Sequence, residues 1–415
     1  MASRLYPLNN NKSFAFPPTP NNNLLLSGEK ILDATLISQN SSGSRFISIP
    51  AGTYNVYSTS NISLSIGNGI ELTKTYSIPA NKLTPINISS TESEVNNIEV
   101  STSNNIASIN FNAVMPVAQS AWGKIAYGNG AFVALSRQNG STRAAYSTDG
   151  ITWSLRTVTA SSTYTELRFI NDSFWALSNV GGVYVSTNGT TWTARATTGS
   201  GVTTPAYLNY ANGRYILGGT GTAVGFSTNG ITWTTNTANI QVLSPIYVNK
   251  KYYGLTADTT SAFAYSTDAI TWTPVTPGFS NPLNVNTSVA YGMGRFVVIA
   301  TTSAWSSTDG ITWASTTLPA GLTYTHCAYG NNLFVASPNT SAGALTTCAY
   351  STDGLVWNTL TMPLSGVTGW GVVSYARNTF FIPLNTNTTN IVSIKGADLT
   401  APISFAMYNG SGGTY

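Results

Sequence analysis

The chain has 415 residues, 42% of them hydrophobic and only 8% charged, and its formal net charge is +4. Its single adjacent basic pair, Lys250-Lys251, makes no basic stripe, which argues against a nucleic-acid partner, and no apolar run approaches the roughly 18 residues of a membrane span. The polar remainder is rich in Thr, Ser, Asn and Gly, a mix that disfavours helices and favours strands and turns.

Residues 1–23 read as an extended arm, with Pro17, Pro18, Pro20 and the run Asn21-Asn22-Asn23, and Met1–Asn10 has no apolar core of a secretory signal. From residue 24 to 104, short alternating stretches follow at Lys30–Ser38, Arg45–Ile49, Thr53–Tyr57, Ile62–Ile66, Glu71–Ile78 and Asn97–Ser101. Pro50, Gly52, Gly67, Gly69 and Pro79 punctuate them, which predicts a small β-sandwich serving as an anchor or a spacer.

Beyond residue 105 the chain is repetitive. One heptapeptide recurs at Ser147–Trp153 (STDGITW), Ser186–Trp192 (STNGTTW), Ser227–Trp233 (STNGITW), Ser266–Trp272 (STDAITW), Ser307–Trp313 (STDGITW) and Ser351–Trp357 (STDGLVW). The intervals are 39, 41, 39, 41 and 44 residues, too regular for chance. Before each copy lie two apolar runs around an Asn/Gly-rich turn, a hairpin signature, starting at Ile125, Leu167, Leu208, Ile246, Val289 and Cys327. A seventh such block from Val373 has no heptapeptide after it. Hairpin strands a and b, a strand c ending in the heptapeptide and a strand d starting near its Trp make about 40 residues per unit. That is one blade of a propeller, in which radial repetition protects the sheet edges.

Turn chemistry explains the heptapeptide. Asp149, Asn188, Asn229, Asp268, Asp309 and Asp353 can accept backbone N–H groups one or two residues on, closing an Asx-type turn. The following Gly takes a conformation that other residues resist, and Ala269 in its place predicts a strained or differently shaped turn. Trp153, Trp192, Trp233, Trp272, Trp313 and Trp357 are expected to pack between blades. A carboxylate copied into many units and replaced twice by an amide reads as structure, not as catalysis.

The heptapeptide resembles the Asp-box, or bacterial neuraminidase repeat, in a shortened form similar to that of phage-encoded virion and tail-fibre propellers. The usual motif has one more residue between Asp and Gly, whereas Asp149-Gly150, Asp309-Gly310 and Asp353-Gly354 are adjacent here. The resemblance covers Asn105–Gly396 and implies boxes on the outer rim, away from a ligand face. The family includes sialidases, other glycosidases, lectin-like modules and structural proteins, so it does not by itself name a function.

Ring closure can be read from the ends of the repeat region. Blade seven offers strands a (Val372–Tyr375), b (Phe380–Leu384) and c (Asn390–Lys395) but no box. Phe111-Asn112-Ala113-Val114-Met115-Pro116 mirrors the strand d of blade six, Trp357–Pro363, so Ile106–Met115 is expected to supply the missing strand d. The fold is therefore all-β: a seven-bladed propeller over 105–396, closed by an N-terminal strand, preceded by the small domain and followed by a tail over 397–415.

Candidate chemistry is sparse. The one His, His326, reads as structural or rim-lying, and Cys327 and Cys348 as free core residues two strands apart. The resemblance raises a sialidase-type glycoside hydrolase, which needs three Arg on the substrate carboxylate, a Tyr–Glu pair and an acid. Arg137, Arg143, Arg156, Arg168, Arg195, Arg214, Arg295 and Arg377 are plentiful, but outside the boxes the propeller's acids before the tail are Glu166, Asp172 and Asp258, too scattered for a dyad. The chain is therefore read as not an enzyme, with no catalytic residue, no metal and no cofactor. The b–c and d–a loops, opposite the boxes, offer Arg137, Arg143, Tyr164, Tyr324 and Trp370 for sugar stacking and hydroxyl recognition.

These readings converge on a phage virion appendage protein, a tail-fibre, tail-tip or head-fibre subunit whose propeller binds a host surface or glycan. The alternatives are a capsid or tail decoration protein without ligand, and the glycoside hydrolase. The expected partners are other virion proteins through the N-terminal region and a host cell-surface glycan. Oligomeric or multicopy display on the virion, assembled in the host cytoplasm and extracellular after lysis, completes the expectation.

Overall fold

The computed structural model describes residues 45–47, 52–58, 62–68, 74–79, 84–88, 96–101, 106–110, 114–119, 122–180, 182–195, 200–202, 205–219, 221–256, 261–279, 289–338, 347–362, 371–377, 379–384, 388–396 and 405–409. The expected arm over 1–23 and the strand at Lys30–Ser38 lie outside these residues, as do Asp258 and Trp370.

Seven antiparallel sheets form the propeller, each a meander in the order a-b-c-d. Blade one runs Trp122–Gly128, Ala131–Ser136, Ser141–Ser147 and Ser154–Ser162, and blade six runs Tyr324–Gly330, Leu333–Pro338, Thr347–Ser351 and Asn358–Thr361. Strand a of one blade packs against strand a of the next at six of the seven junctions, including blade seven against blade one, so these strands are innermost. Six a–b turns have positive φ at both central residues, as at Asn129-Gly130, Asn171-Asp172 and Asn331-Asn332. This is the two-residue turn whose twist matches the flanking strands, and Asn tolerates it best after Gly.

The ring closes through the chain's earlier part. Strand c of blade seven (Thr388–Gly396) pairs antiparallel with Ile106–Asn110, Ser393 opposite Asn110 and Lys395 opposite Ser108. Its first half pairs with Val114–Gln119, with Asn390 opposite Val114. The expected closing strand is thus in place over Ile106–Asn110, residues 111–113 lie outside the described ones, and Val114–Gln119 pairs with the same strand c. Apolar packing seals the junction: Met115, Trp122, Phe132, Trp153, Phe381 and Ile391 share one buried cluster. Phe381 lies edge-on to Phe132 at 5.3 Å and to Trp153 at 6.2 Å.

The N-terminal strands form two sheets. Arg45–Ile47, Asn96–Ser101, Ile62–Asn68 and Lys74–Ile78 are neighbours in that order in one. Phe405–Asn409, Gly52–Ser58 and Thr84–Ile88 make the other. Residues 405–409, which sequence reasoning leaves in the tail, therefore pair with Gly52–Ser58, Val56 opposite Met407. Segments before and after the propeller thus meet in one sheet. No local pattern of five residues can announce a partner about 350 positions away, because strand pairing at long range is decided by the whole fold.

Each heptapeptide forms the turn between strands c and d. In blade one the Ser147 hydroxyl donates to Asp149 Oδ1 (2.9 Å) and accepts the N–H of Gly150 (2.8 Å). Asp149 Oδ1 accepts the N–H groups of Ile151 and Thr152, both at 2.8 Å, so the bonds reach two and three residues on instead of one and two. Asn188 and Asn229 do the same with their amide oxygens, which explains why Asp and Asn interchange. Ala269 adopts φ 64°, against 67–76° for the glycines at this place, so the fourth turn keeps its shape and takes the strain. The backbone bonds overcome the opposing desolvation and hold the Asp149, Asp268, Asp309 and Asp353 carboxyls below the usual range.

The motif Trp side chains wedge against the preceding blade. Trp192 clusters with Val133 and Ala144 of blade one as well as Leu167 and Phe174 of its own blade. Trp313 lies edge-on to Phe263 at 4.8 Å and to Phe279 at 5.4 Å, both of blade four. Trp153 and Trp272 also donate their indole N–H to the carbonyl of Gly150 and Ala269.

Candidate functional site

A meander places the a–b and c–d turns at one end of each sheet and the b–c and d–a connections at the other. The side chains confirm the first pairing, because the Asn129 amide donates to the carbonyls of Asp172 and Thr187, an a–b turn and a heptapeptide of the next blade. Charged groups gather at the opposite end. Strand a of blade two, Tyr164–Ile170, starts there, and its Glu166 is buried with 4% exposure. Lys124, from the corresponding place on strand a of blade one, donates to both Glu166 oxygens, at 3.0 and 2.9 Å. Arg168, two residues on and so on the same face of its strand, brings Nε to 3.6 Å from Glu166 Oε1. The Leu167 N–H also donates to that oxygen.

Two further groups complete the cluster. Arg137 directly follows strand b of blade one and folds its stem over Gly123; a Cβ at Gly123 would fall 2.9 Å from Arg137 Cγ. Burial lowers the Arg137 pKa, and the Glu166 charge opposes that shift. His326, on strand a of blade six, is 4% exposed. Burial first, then the charges of Arg137 and Lys124, push its pKa down to about 3, so the ring is neutral. Lys124 and Arg137 belong to blade one and His326 to blade six, so this electrostatic coupling spans the ring closure at blade seven. His326 Nδ1 is 2.8 Å from the Thr325 hydroxyl, while Nε2 is buried without a hydrogen-bond partner.

Glu166 is held as a carboxylate. Desolvation would raise its pKa, but Lys124, Arg168 and the Leu167 N–H together pull it below the usual range. A carboxylate locked in this way is a poor general acid, and a histidine titrating near 3 is a weak base. Among the described residues, no group of three or more His, Cys, Asp and Glu could hold a metal.

The sequence-based site is largely redistributed. Arg137 belongs to the cluster. Arg143 is exposed on strand c of blade one, two strands out from strand a, opposite Thr157. Tyr164 and Tyr324 are corrections: both begin a strand a and are buried, at 2% and 0% exposure, in separate core clusters. Burial raises the pKa of both phenols, that of Tyr324 to about 12, and neither ring can stack on a sugar from solvent. Cys327 and Cys348 are free and buried, each in its own core cluster.

Sequence reasoning set Glu166 aside for want of a partner acid and took His326 as structural or rim-lying. A signal was present. The residue preceding the a-strand block is Tyr207, Pro245 and Val372 in three blades but Lys124, Glu166 and His326 in three others, so the repeat loses its symmetry where the cluster forms.

No family model matches the chain, and no curated protein matches it. Solved propellers do. A virginiamycin B lyase from Staphylococcus aureus, solved with quinupristin, aligns with a TM-score of 0.56 at 8% identity, over 70% of this chain and 99% of that one. YCF48 bound to a D1 peptide gives 0.54 at 12% identity, over 71% and 98%. The WD40 propeller domain of Doa1 gives 0.51 at 13%, over 69% and 97%. At such identities the likeness shows a seven-bladed β-propeller and nothing finer. Those proteins differ in what they do, so the fold alone assigns no activity here.

Proposed function

We propose that this chain is a non-catalytic virion appendage protein of phage type, a tail-fibre, tail-tip or head-fibre subunit, whose Asp-box propeller binds a host surface or glycan through the face opposite the heptapeptides. The observation that carries the binding face is the axial cluster of Lys124, Arg137, Glu166, Arg168 and His326, which breaks the blade symmetry on that side. Burying several charges together is costly, and clusters of perturbed titratable groups are concentrated at functional sites, which supports this reading. The virion placement rests on the resemblance of the shortened heptapeptide and on the Thr/Asn-rich composition. In that setting weak single contacts suffice, because many copies on one particle raise avidity without new contacts.

The test has two parts. Gold-labelled antibody against the chain should decorate purified virions at a tail or fibre, and fluorescent full-length protein should adsorb saturably to host cells. Labelling confined to a capsid or tube lattice, with no adsorption, would replace this reading with a decoration protein. Release of reducing sugar from host glycan would replace it with a hydrolase.

A further inference from the structure

The axial cluster implies more than a face. Lys124 and Arg168 fix the Glu166 carboxylate, and Glu166 in turn orients both cations. Arg137 stretches over Gly123, a position where any side chain would collide with its stem. His326, two blades away around the ring, feels the charges of Arg137 and Lys124, and its Nε2 is buried without a hydrogen-bond partner. A buried polar nitrogen left this way costs on the order of 1–3 kcal/mol, so its persistence calls for an explanation.

The tautomer decides what would satisfy it. Were Nε2 the acceptor, the adjacent cations Arg137 and Lys124 would be its natural donors, yet it receives no bond. With Nδ1 accepting from the Thr325 hydroxyl at 2.8 Å, Nε2 carries the proton and is a donor. A neutral N–H donor, a guanidinium and an ammonium then stand within electrostatic reach of one another at the same end of blades one and six, and the complement to three such donors is an oxygen bearing negative charge.

We propose that Arg137, Lys124 and His326 form an oxyanion-binding site on the propeller axis, with Glu166 and Arg168 as positioning residues. This deepens the binding reading above and rests on it for the source of the ligand. The oxyanion is the carboxylate of an acidic sugar or the phosphate of a phosphate-containing polymer at the cell surface. Arg binds either in a forked, two-point manner, and Glu166 blocks indiscriminate anion uptake by holding Lys124 in one orientation.

Full-length protein titrated with D-glucuronate, glycerol phosphate and methyl glucoside, followed by ligand-observed NMR and calorimetry, tests the site. One or both anions should bind saturably and the neutral glucoside should not. The tighter anion identifies the source as uronate or phosphate. Arg137→Gln should weaken binding about ten- to a hundredfold, the loss expected of one charge-assisted hydrogen bond. Gly123→Ala should weaken it in the same direction by displacing the Arg137 stem, and His326→Phe by removing the donor. Arg295→Gln, at an a–b hairpin on the heptapeptide side, should bind as the parent does. Melting curves of each variant identify any that misfold, and the three independent substitutions keep the test alive if one does. Neither anion binding at about 10 mM, or unchanged affinity in folded Arg137→Gln and His326→Phe, would overturn the proposal. Anion binding without cell adsorption would keep the site and reject the appendage reading. Adsorption unaffected by Arg137→Gln, with no anion bound, would do the reverse.

Discussion

The heptapeptide rim and the axial cluster are opposite kinds of region within one ring. On the rim, the same three-residue device recurs: Ser147 and Asp149 with Gly150, Ser186 and Asn188 with Gly189, Ser351 and Asp353 with Gly354. The bonds of this device are local, and amide serves as well as carboxylate. At the axis the corresponding strand-a positions hold Lys124, Glu166, Tyr207, Pro245, His326 and Val372, and the important contacts cross from blade to blade. Repetition marks what each blade needs in order to fold; departure from it marks what the ring as a whole does once.

Variants can break or sharpen that contrast. The largest effect is expected at the rim's apolar partner: Trp153→Ala should cost about 3–5 kcal/mol in urea unfolding, since it empties the junction with Phe132 and Phe381. A loss under about 1 kcal/mol would mean that the wedges do not hold neighbouring blades together. Glu166→Gln should cost about 3 kcal/mol, because it leaves Lys124 and Arg168 facing an amide in a buried place. If it proved as mild as a rim exchange, the axis would be no more demanding than the turns.

Acid should separate the regions next. His326 has its folded pKa pushed down to about 3, below its unfolded value of roughly 6.5, so the unfolded chain binds the extra proton between those limits. The stability held by the neutral ring is complete above the unfolded pKa and drains as pH falls towards 3, at about 1.4 kcal/mol per pH unit. Denaturant midpoints between pH 6.5 and 4.5 should show this slope, and His326→Gln should flatten it. The depressed rim carboxylates add loss only below the ordinary carboxylate range, near pH 4. An unchanged slope in the variant would place the acid sensitivity elsewhere.

The smallest effects belong to the rim's polar groups. Ala269→Gly should stabilise by about 0.5–1 kcal/mol, by relieving a left-handed conformation at φ 64°. Asp149→Asn should change the melting temperature little, on the order of 0.5 kcal/mol or less, since Asn188 and Asn229 make the same bonds. A large loss there would show that the carboxylate charge matters after all.

The sequence by itself determined the propeller and its seven blades, because these depend on patterns repeated about every 40 residues; the closing strand was legible only through its likeness to strand d of blade six. A hairpin turn, an alternating strand and a Ser-x-Asp-Gly turn are settled by near neighbours, so they can be read off one copy and checked against the next. Only the tertiary structure decided the rest. Tyr164 and Tyr324 look like loop aromatics in the chain, yet the start of strand a carries them into the core. Residues 405–409 look like a tail, yet they pair with Gly52–Ser58. Lys124, Glu166, Arg168 and His326 lie up to about 200 positions apart and become one cluster because the ring brings strands a to a common axis. Electrostatic interaction depends on distance through space, and distance through space is set by closure of the ring and not by spacing along the chain.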